Sequence, residues 1–355
     1  MCRGNPILTF KFGLLIDILA RFSLVALSIA AILGETTIAG RKKMLQKVAA
    51  TGVNLDSVYA QTLQRIRDQT GDRSRLGIEV LVWVSHAERP LRIDELCHAL
   101  AVEMEETDID PENIRSGQVI LGSCLGLVEV DGRTSTLHLI HYTLQEYLSH
   151  SGNLPDAHET LAETCLAYLN YEQVKGLPPN RIPNPQDMPF FEYSSIYWGS
   201  HAKRGLSTRA KSLALELSAL YDNHVSATLL FSQMQSYDSP PVNDHLFTGL
   251  HCASHFGIVD IVAALIGIEG CDINQRDCKG FTPIMWAARR GNEAVVRLLL
   301  TRNDIDPDIP DIYGRTPLQH ASENGHEGVM ALLTSCDISY NRPHNTSQAP
   351  FCRTS

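Results

Sequence analysis

Gly122-Ser123-Cys124-Leu125-Gly126 carries the two glycines of a nucleophile elbow with a thiol at the reactive position. Such an elbow holds its nucleophile on a sharp turn from strand into helix. Here the apolar pattern runs the other way, from a helix ending near Leu125 into a strand from Gly126, so Cys124 is expected to be a packed, idle thiol. His138 and His141 stand three apart at a strand-to-helix junction, which sets them on opposite faces of a strand, and joint ligation of one metal is not expected. Asp108, Asp110 and Glu112 begin like a calcium loop but lack its central glycine and terminal glutamate, so a solvated linker is expected. No His-Glu-x-x-His, no Gly-x-Ser-x-Gly, no His-x-Glu with Pro-Cys-x-x-Cys and no Gly-x-x-x-x-Gly-Lys-Ser/Thr phosphate cradle occurs. The expectation is therefore no enzyme, no cofactor and no metal, which leaves recognition by a surface.

A recognition surface needs elements to hold it, and the sequence repeats one. Gly280-Phe281-Thr282-Pro283-Ile284 returns as Gly314-Arg315-Thr316-Pro317-Leu318, 34 positions on, and the same offset carries Ala287 to Ala321, Gly291 to Gly325 and Leu298 to Leu332. A fixed period of this size marks a stacked repeat. Asp277-Cys278-Lys279-Gly280 reads as a tight turn, Thr282 as an N-cap, Pro283 as the first helical residue, and Gly291 as the stop before a second helix with Val295, Val296, Leu298, Leu299 and Leu300. A weaker copy, Leu250, Ala253, Gly257, Ile261, Val262 and Leu265, falls 34 positions before Ile284, Ala287, Gly291, Val295, Val296 and Leu299.

This turn and helix pair resembles the ankyrin repeat, over about Asp244 to Ser335. The spacing is one residue longer than the usual 33, and Met285 and Gln319 stand where the family's histidine is usual. The first copy lacks its Gly-x-Thr-Pro turn and is expected to be a half-degenerate or capping unit. The resemblance implies that turn tips and first helices line a concave face that contacts a protein partner. The positions are Lys279, Phe281, Trp286, Arg289 and Arg290 in the central unit and Tyr313, Arg315, His320, Glu323 and Asn324 in the last. Trp, Tyr and Arg dominate interface energetics. The alternative is that Trp286 packs between units and the arginines are solvated. Two to three repeats lie at the lower limit for a stable stack, because each unit buries its apolar side only against neighbours, so support from the preceding helices is expected.

Leu76 to Ser85, Ile93 to Val102 and Pro111 to Leu125 read as three helices, and Gly126 to Val130 and Leu137 to Ile140 as two strands around Asp131-Gly132. Three helices followed by a two-stranded ribbon describe a winged helix, here running into a short helix from His141 to Ser149. Asp94, Glu95, Glu103, Glu105, Glu106, Asp108, Asp110 and Glu112 crowd the approach to the third helix, against Arg92 and Arg115, so no nucleic-acid partner is expected.

Gly126 to Val130, the string His141-Tyr-Thr-Leu-Gln-Glu-Tyr147 and the string Phe191-Glu-Tyr-Ser-Ser-Ile-Tyr-Trp-Gly-Ser-His-Ala202 resemble segments of large fungal NACHT proteins. These are nucleotide-switched signalling ATPases of the STAND class, whose chains commonly continue into ankyrin repeats. Their winged-helix module is often labelled after a GPI inositol-deacylase, a name that implies no activity here. The resemblance runs from about Ala20 to Ser335. It implies that Ala20 to Gln69 is the tail of a NACHT region whose NTPase core lies upstream, and that the chain is the C-terminal half of such a protein. A NACHT core, intramolecular or in trans, is then a partner. A subunit of a nucleotide switch working in trans is the rival to a free-standing adaptor.

The 355 residues suffice for two or three domains. Lys plus Arg at 30 against Asp plus Glu at 40 leave a net charge of −10, which disfavours generic polyanion binding. Nine cysteines without a CxxC pair suit a reducing compartment, and a cytoplasmic location is expected. Phe12 to Leu33 is apolar, but Asp17 and Arg21 interrupt it and Phe22 to Leu33 is too short to span a bilayer. A buried helix is expected there, with membrane tethering and a signal sequence as alternatives. The expected class is mainly α. Residues 1–40 are an apolar N-terminal helix region, 41–73 a helical NACHT-like tail, 74–150 a winged-helix domain, 151–243 a helical linker domain, 244–335 a short ankyrin-repeat solenoid of about three units, and 336–355 a disordered tail.

Overall fold

Tyr59, Leu63 and Ile66 recur every three or four residues, so a helix through them turns one apolar face inward; helix α1, Leu55–Arg67, buries all three. In this computed structural model the described residues are 55–150, 154, 157–234 and 246–339. The expectation for Phe12 to Leu33, the start of the helical tail at 41–54 and the tail beyond residue 339 lie outside them. The described chain is mainly helical, with one two-stranded sheet, and it divides into two units. The first comprises residues up to Gly176 together with Pro183–Ser207; the second comprises Leu177–Ile182 and the chain from Thr208.

In the first unit α1 packs on α2, Arg73–His86, and α2 packs on the helix Gly117–Ser123, here α4. The crossing closes at Gly77, where an added Cβ would stand 2.6 Å from the Ser123 carbonyl oxygen and 2.7 Å from Ile66 Cγ2. A backbone carbonyl cannot swing aside as a flexible side chain can. Gly77→Ala is therefore expected to cost about 2–3 kcal/mol, read as a lower urea midpoint for the loss of Trp83 fluorescence.

Between these helices α3 spans Ile93–Ala99. Glu95 in its first turn is fully buried and answers every donor around it: the Arg92 amide donates at 2.7 Å, and the Arg89 guanidinium forks onto both carboxylate oxygens at 2.8 and 2.7 Å. The third helix is shorter than its pattern suggests. Pro111–Asn113 is a single 3-10 turn, held where the Asp110 carboxylate accepts from the Glu112 amide, and Ile114 is extended, so the α-helix starts only after Ser116. Proline at the first helical position and an acidic cap favour a start at 111, but the extended backbone that follows ends it within one turn.

Leu125 and Gly126, both at positive φ (48° and 86°), reverse the chain from α4 into β1, Val128–Val130. That strand pairs antiparallel with β2, Leu137–Leu139, in the register Val128↔Leu139 and Val130↔Leu137. Helix α5, Tyr142–His150, follows. The polar string from His141 to Tyr147 has a structural use here: Thr143 Oγ1 and Tyr59 Oη are 2.9 Å apart, joining α5 to α1, and Gln145 Nε2 donates to the Ser85 carbonyl at 2.8 Å, joining it to α2.

Helices α6, His158–Leu169, and α8, Phe191–Arg204, lie along each other, with the short α7, Glu172–Lys175, between them in sequence. Trp83, Tyr168, Phe190 and Tyr193 form the aromatic centre, with ring centroids 5.3 to 5.9 Å apart. At its edge the Glu88 amide donates to Tyr193 Oη at 3.0 Å, and Tyr193 Oη lies 2.9 Å from His201 Nε2. On its other side His201 Nδ1 lies 3.0 Å from His158 Nδ1, so one of these two nitrogens donates and the other accepts, and the pair suits a neutral His201 imidazole.

Residues 151–243, expected to form one helical domain, are divided between the units. Helices α9, Thr208–Ala219, and α10, Val225–Gln233, belong to the second. The reason is which apolar faces meet: α8 spends its buried side on α6, whereas α9 turns Ala210, Ala214 and Leu217 to the first repeat pair, α11 (Gly249–Phe256) and α12 (Val259–Ile266). The following pairs are α13 (Pro283–Arg289) with α14 (Glu293–Leu299), and α15 (Pro317–Glu323) with α16 (Glu327–Ser339). First helices stack in the order α11, α13, α15 and second helices in the order α12, α14, α16, so α9 closes the start of the stack. Among the described residues no helix is long and apolar enough to cross a membrane.

Candidate partner-binding surface

The turns that open the second and third repeats are each built on one buried carboxylate. Asp277 Oδ1 accepts from the amides of Lys279 and Phe281, both at 2.9 Å, while Oδ2 accepts from Trp286 Nε1 at 3.0 Å. Asp311, 34 positions on, repeats the pattern: the amides of Tyr313 and Arg315 donate at 2.8 and 2.9 Å, and His320 Nε2 donates at 3.0 Å. Gly280 and Gly314 close the two turns at φ of +77° and +79°. One aspartate thus fixes the turn and the first helix behind it.

Residues 211–344 match the family described as "Ankyrin repeats (3 copies)". Residues 64–158 match the "GPI inositol-deacylase, winged helix domain". A stretch of 74 residues is 39% identical to the 60 kDa lysophospholipase of Mus musculus, covering 21% of this chain and 13% of that protein. The ankyrin match begins inside α9, the helix that closes the stack.

The ten ankyrin positions singled out from the sequence separate into two groups. Phe281, Trp286 and His320 are only 2%, 3% and 2% exposed, so direct contact with a partner is not available to them. Trp286 lies against Phe231, Phe247, His255 and Phe281, and His320 packs on Phe281 with centroids 4.6 Å apart and the rings tilted by 43°. They join one repeat to the next. Lys279, Arg289 and Arg315 are half-buried, and Arg290, Tyr313, Glu323 and Asn324 are exposed. The Arg289 guanidinium sits over the rings of Phe281 and Trp286 at 5.8 and 5.7 Å, and that of Arg315 over Tyr313 at 5.2 Å. Ile312, absent from the expected set, is 58% exposed beside Tyr313 at 68%. Its place at the tip of the second turn was the available signal.

The two turn carboxylates differ in charge balance. Burial pushes the Asp277 carboxyl up to about 6, against the opposing donors of Phe281, Trp286 and Lys279. At Asp311 burial also works upward, but the amides of Arg315 and Tyr313 with the His320 and Arg315 side chains outweigh it and hold the carboxyl below its ordinary value.

Thr248, Thr282 and Thr316 stand 34 positions apart as the N-caps of α11, α13 and α15. Thr248 and Thr316 are answered three residues on, where His251 Nδ1 accepts from the Thr248 amide at 3.1 Å and Gln319 Oε1 from the Thr316 amide at 2.9 Å. The first copy therefore keeps at His251 the histidine that the later copies have lost. Met285 cannot answer Thr282, whose hydroxyl is buried without a partner. Met285→His is expected to stabilise the repeats by about 1–2 kcal/mol, seen as a rise of a few degrees in the thermal midpoint followed by Trp286 fluorescence.

In the first unit a cavity of about 470 Å³ is lined by Ser85, Glu88, Arg89, His138, His141 and Tyr142 among others. His141 Nδ1 accepts from the Thr143 amide at 3.3 Å, which leaves the proton on Nε2; that atom and Ser85 Oγ are buried without partners. His138 pairs instead with Thr136 Oγ1 at 2.8 Å. Asp108 accepts from the Gln173 amide at 2.8 Å, so of the calcium-like acids Asp108 and Asp110 serve as turn and loop caps. Cys124 is buried in the same unit, its thiol donating to the Ile120 carbonyl at 3.5 Å and pushed by burial up to about 12. A thiol so held is a poor nucleophile at neutral pH.

Proposed function

We propose that this chain is a non-enzymatic protein-interaction module: an ankyrin scaffold or adaptor, derived from a NACHT-type signalling ATPase and acting in the cytoplasm. The observation that carries it is the Ile312–Tyr313 tip, exposed on a stack whose turns and helices are fixed by buried Asp311, His320 and Phe281. Rigid aromatic and arginine anchors of this kind contribute most to interface energy at the least ordering cost. Lys279, Arg289, Arg290, Tyr313, Arg315, Glu323 and Asn324 are the contact residues in this reading. Phe281, Trp286 and His320 position them. The 60 kDa lysophospholipase is named for a hydrolysis, but its match covers 13% of that protein, and no hydrolytic step is carried over from it.

A photo-crosslinking amino acid placed at Tyr313, in cells that make the protein, is expected to yield a discrete protein adduct. The same group at Arg297, exposed on the second-helix side, is expected to yield none. Equal labelling from both positions, or no adduct from Tyr313, would sink the reading.

A second reading has its own observation. The two unpartnered buried donors in the first-unit cavity suit a docked segment that supplies acceptors, as when this unit sits on a NACHT core carried in trans. In that case a cross-linker at Tyr142 captures an ATPase core and His141→Ala abolishes the capture, while the Tyr313 position stays silent.

A further inference from the structure

Arg289 and Arg290 end α13, and Arg315 lies on the turn of the next repeat. Among the described residues neither Arg289 nor Arg290 pairs with a carboxylate: Arg289 rests on the rings of Phe281 and Trp286, and Arg290 Nη2 meets the imidazole of His255 at 3.2 Å. Arg315 has Asp311 at 3.0 Å, which belongs to the turn, and a looser contact to Glu323 at 3.5 Å. Burial and the field of the neighbouring cation lower the pKa of Arg289, through Arg315, and that of Arg290, through Arg289. A half-buried Arg289 with the exposed Arg290 and the half-buried Arg315 beside it is an arrangement of like charges that an incoming anion relieves. The rings accept none of the Arg289 N–H groups in their own plane, so a guanidinium seated over them can still fork onto a carboxylate.

We infer that the concave ankyrin face takes a short acidic peptide segment of a protein partner, its carboxylates on Arg289 and Arg290 and an adjoining apolar side chain on Ile312 and Tyr313. This rests on the interaction-module reading and names the chemistry of its partner. A nucleic acid fits less well. Its charge runs on at every phosphate, and beyond the arginines it would meet the exposed acids Asp304, Asp306, Asp308 and Glu323 on a chain of net charge −10. A peptide can confine its charge to two or three residues.

The test is selection of a random nonapeptide library on the full-length chain, followed by affinity measurement of the selected peptides. The expected result is enrichment of Asp and Glu, affinity that falls about tenfold between 50 and 250 mM salt, and a further loss of about tenfold or more in Arg289→Gln/Arg290→Gln. Arg289→Lys/Arg290→Lys is expected to keep the salt dependence but to lose part of the affinity, because an ammonium neither forks onto a carboxylate nor rests on the rings as a guanidinium does. Glu323→Gln, which removes the exposed carboxylate nearest the cluster without touching a buried group, is expected to tighten binding. Peptides that bind and are lost in Tyr313→Ala, yet lack acidic enrichment and ignore the arginine variants, would overturn the acidic-partner inference and leave the interaction module standing. Competition by an oligonucleotide at lower concentration than by the peptides would also overturn it. No selected peptide from any library would overturn both.

Discussion

Replacing Asp277 with alanine is expected to cost the ankyrin unit about 3 kcal/mol at pH 7. The change orphans three donors, the amides of Lys279 and Phe281 and the indole of Trp286, each worth about 1–3 kcal/mol when left unpaired in a buried site. Part of that cost is offset, because a carboxyl whose folded value is about 6 is held charged at pH 7 at a penalty of about 3 kcal/mol relative to the unfolded chain. The sign of the pH dependence follows. A folded value raised above 3.8 means that the native state binds the proton first, so this group's contribution is fully present below pH 4 and is lost as pH rises through 6. The deficit of Asp277→Ala should therefore widen between pH 7 and pH 5. Trp286 is the sole tryptophan of the second unit, and with Trp83 and Trp198 changed to phenylalanine its emission reports this unit alone. A variant that melts with the wild type, or whose deficit shrinks on acidification, would contradict the role given to Asp277.

The first unit should respond to acid in the opposite direction and more strongly. His201 is fully buried, and burial together with the nearby His158, Arg204 and His86 lowers its pKa from 6.5 to about 3. The unfolded chain takes up the proton below 6.5 while the native chain refuses it. Stability contributed by the neutral imidazole is thus complete above pH 6.5 and falls by about 1.4 kcal/mol per pH unit toward pH 3, about 5 kcal/mol in all. The groups facing this imidazole are Tyr193, His158, His86 and Arg204, with Glu88 beside the tyrosine. None offers a carboxylate to the ring itself, so protonation has no local compensation. Urea unfolding between pH 7 and pH 4.5, followed through Trp83 and Trp198, should show the midpoint falling steeply, and His201→Gln should flatten the slope while lowering stability at pH 7. An unchanged slope in that variant would assign the acid sensitivity elsewhere.

Much of this molecule could be read from local pattern. Helical spacing placed α2 and α3, alternation placed the ribbon of the winged helix, and the offset from Gly280 to Gly314 placed the ankyrin units. The helix and strand signals are carried by residues within one turn or one strand of each other, and the repeat signal by the same local pattern occurring twice. The errors lie where distant groups compete. Pro111 starts a turn that Ile114 ends, and residues 151–243 part company because α9 has a better apolar face to meet in α11 and α12 than in α8.

The proposed partner-binding residues show the same limit. Residue type selected Phe281, Trp286 and His320 together with Arg289, Arg290 and Tyr313, because aromatic and arginine side chains suit interfaces wherever they stand. Only the stack decided that the first three lie between repeats and the others face outward. The reason is that Asp277 and Asp311 each draw a donor nine residues away into the interior, Trp286 in one unit and His320 in the other. Sequence by itself determined the repeat, its turns and caps, since these depend on backbone freedom at Gly280 and Gly314 and on side chains bonding their own turn. Tertiary structure alone decided which of these side chains are buried and which exposed, and which imidazole, His201, must stay neutral, since burial and the charge of neighbours far along the chain exist only once the helices have packed.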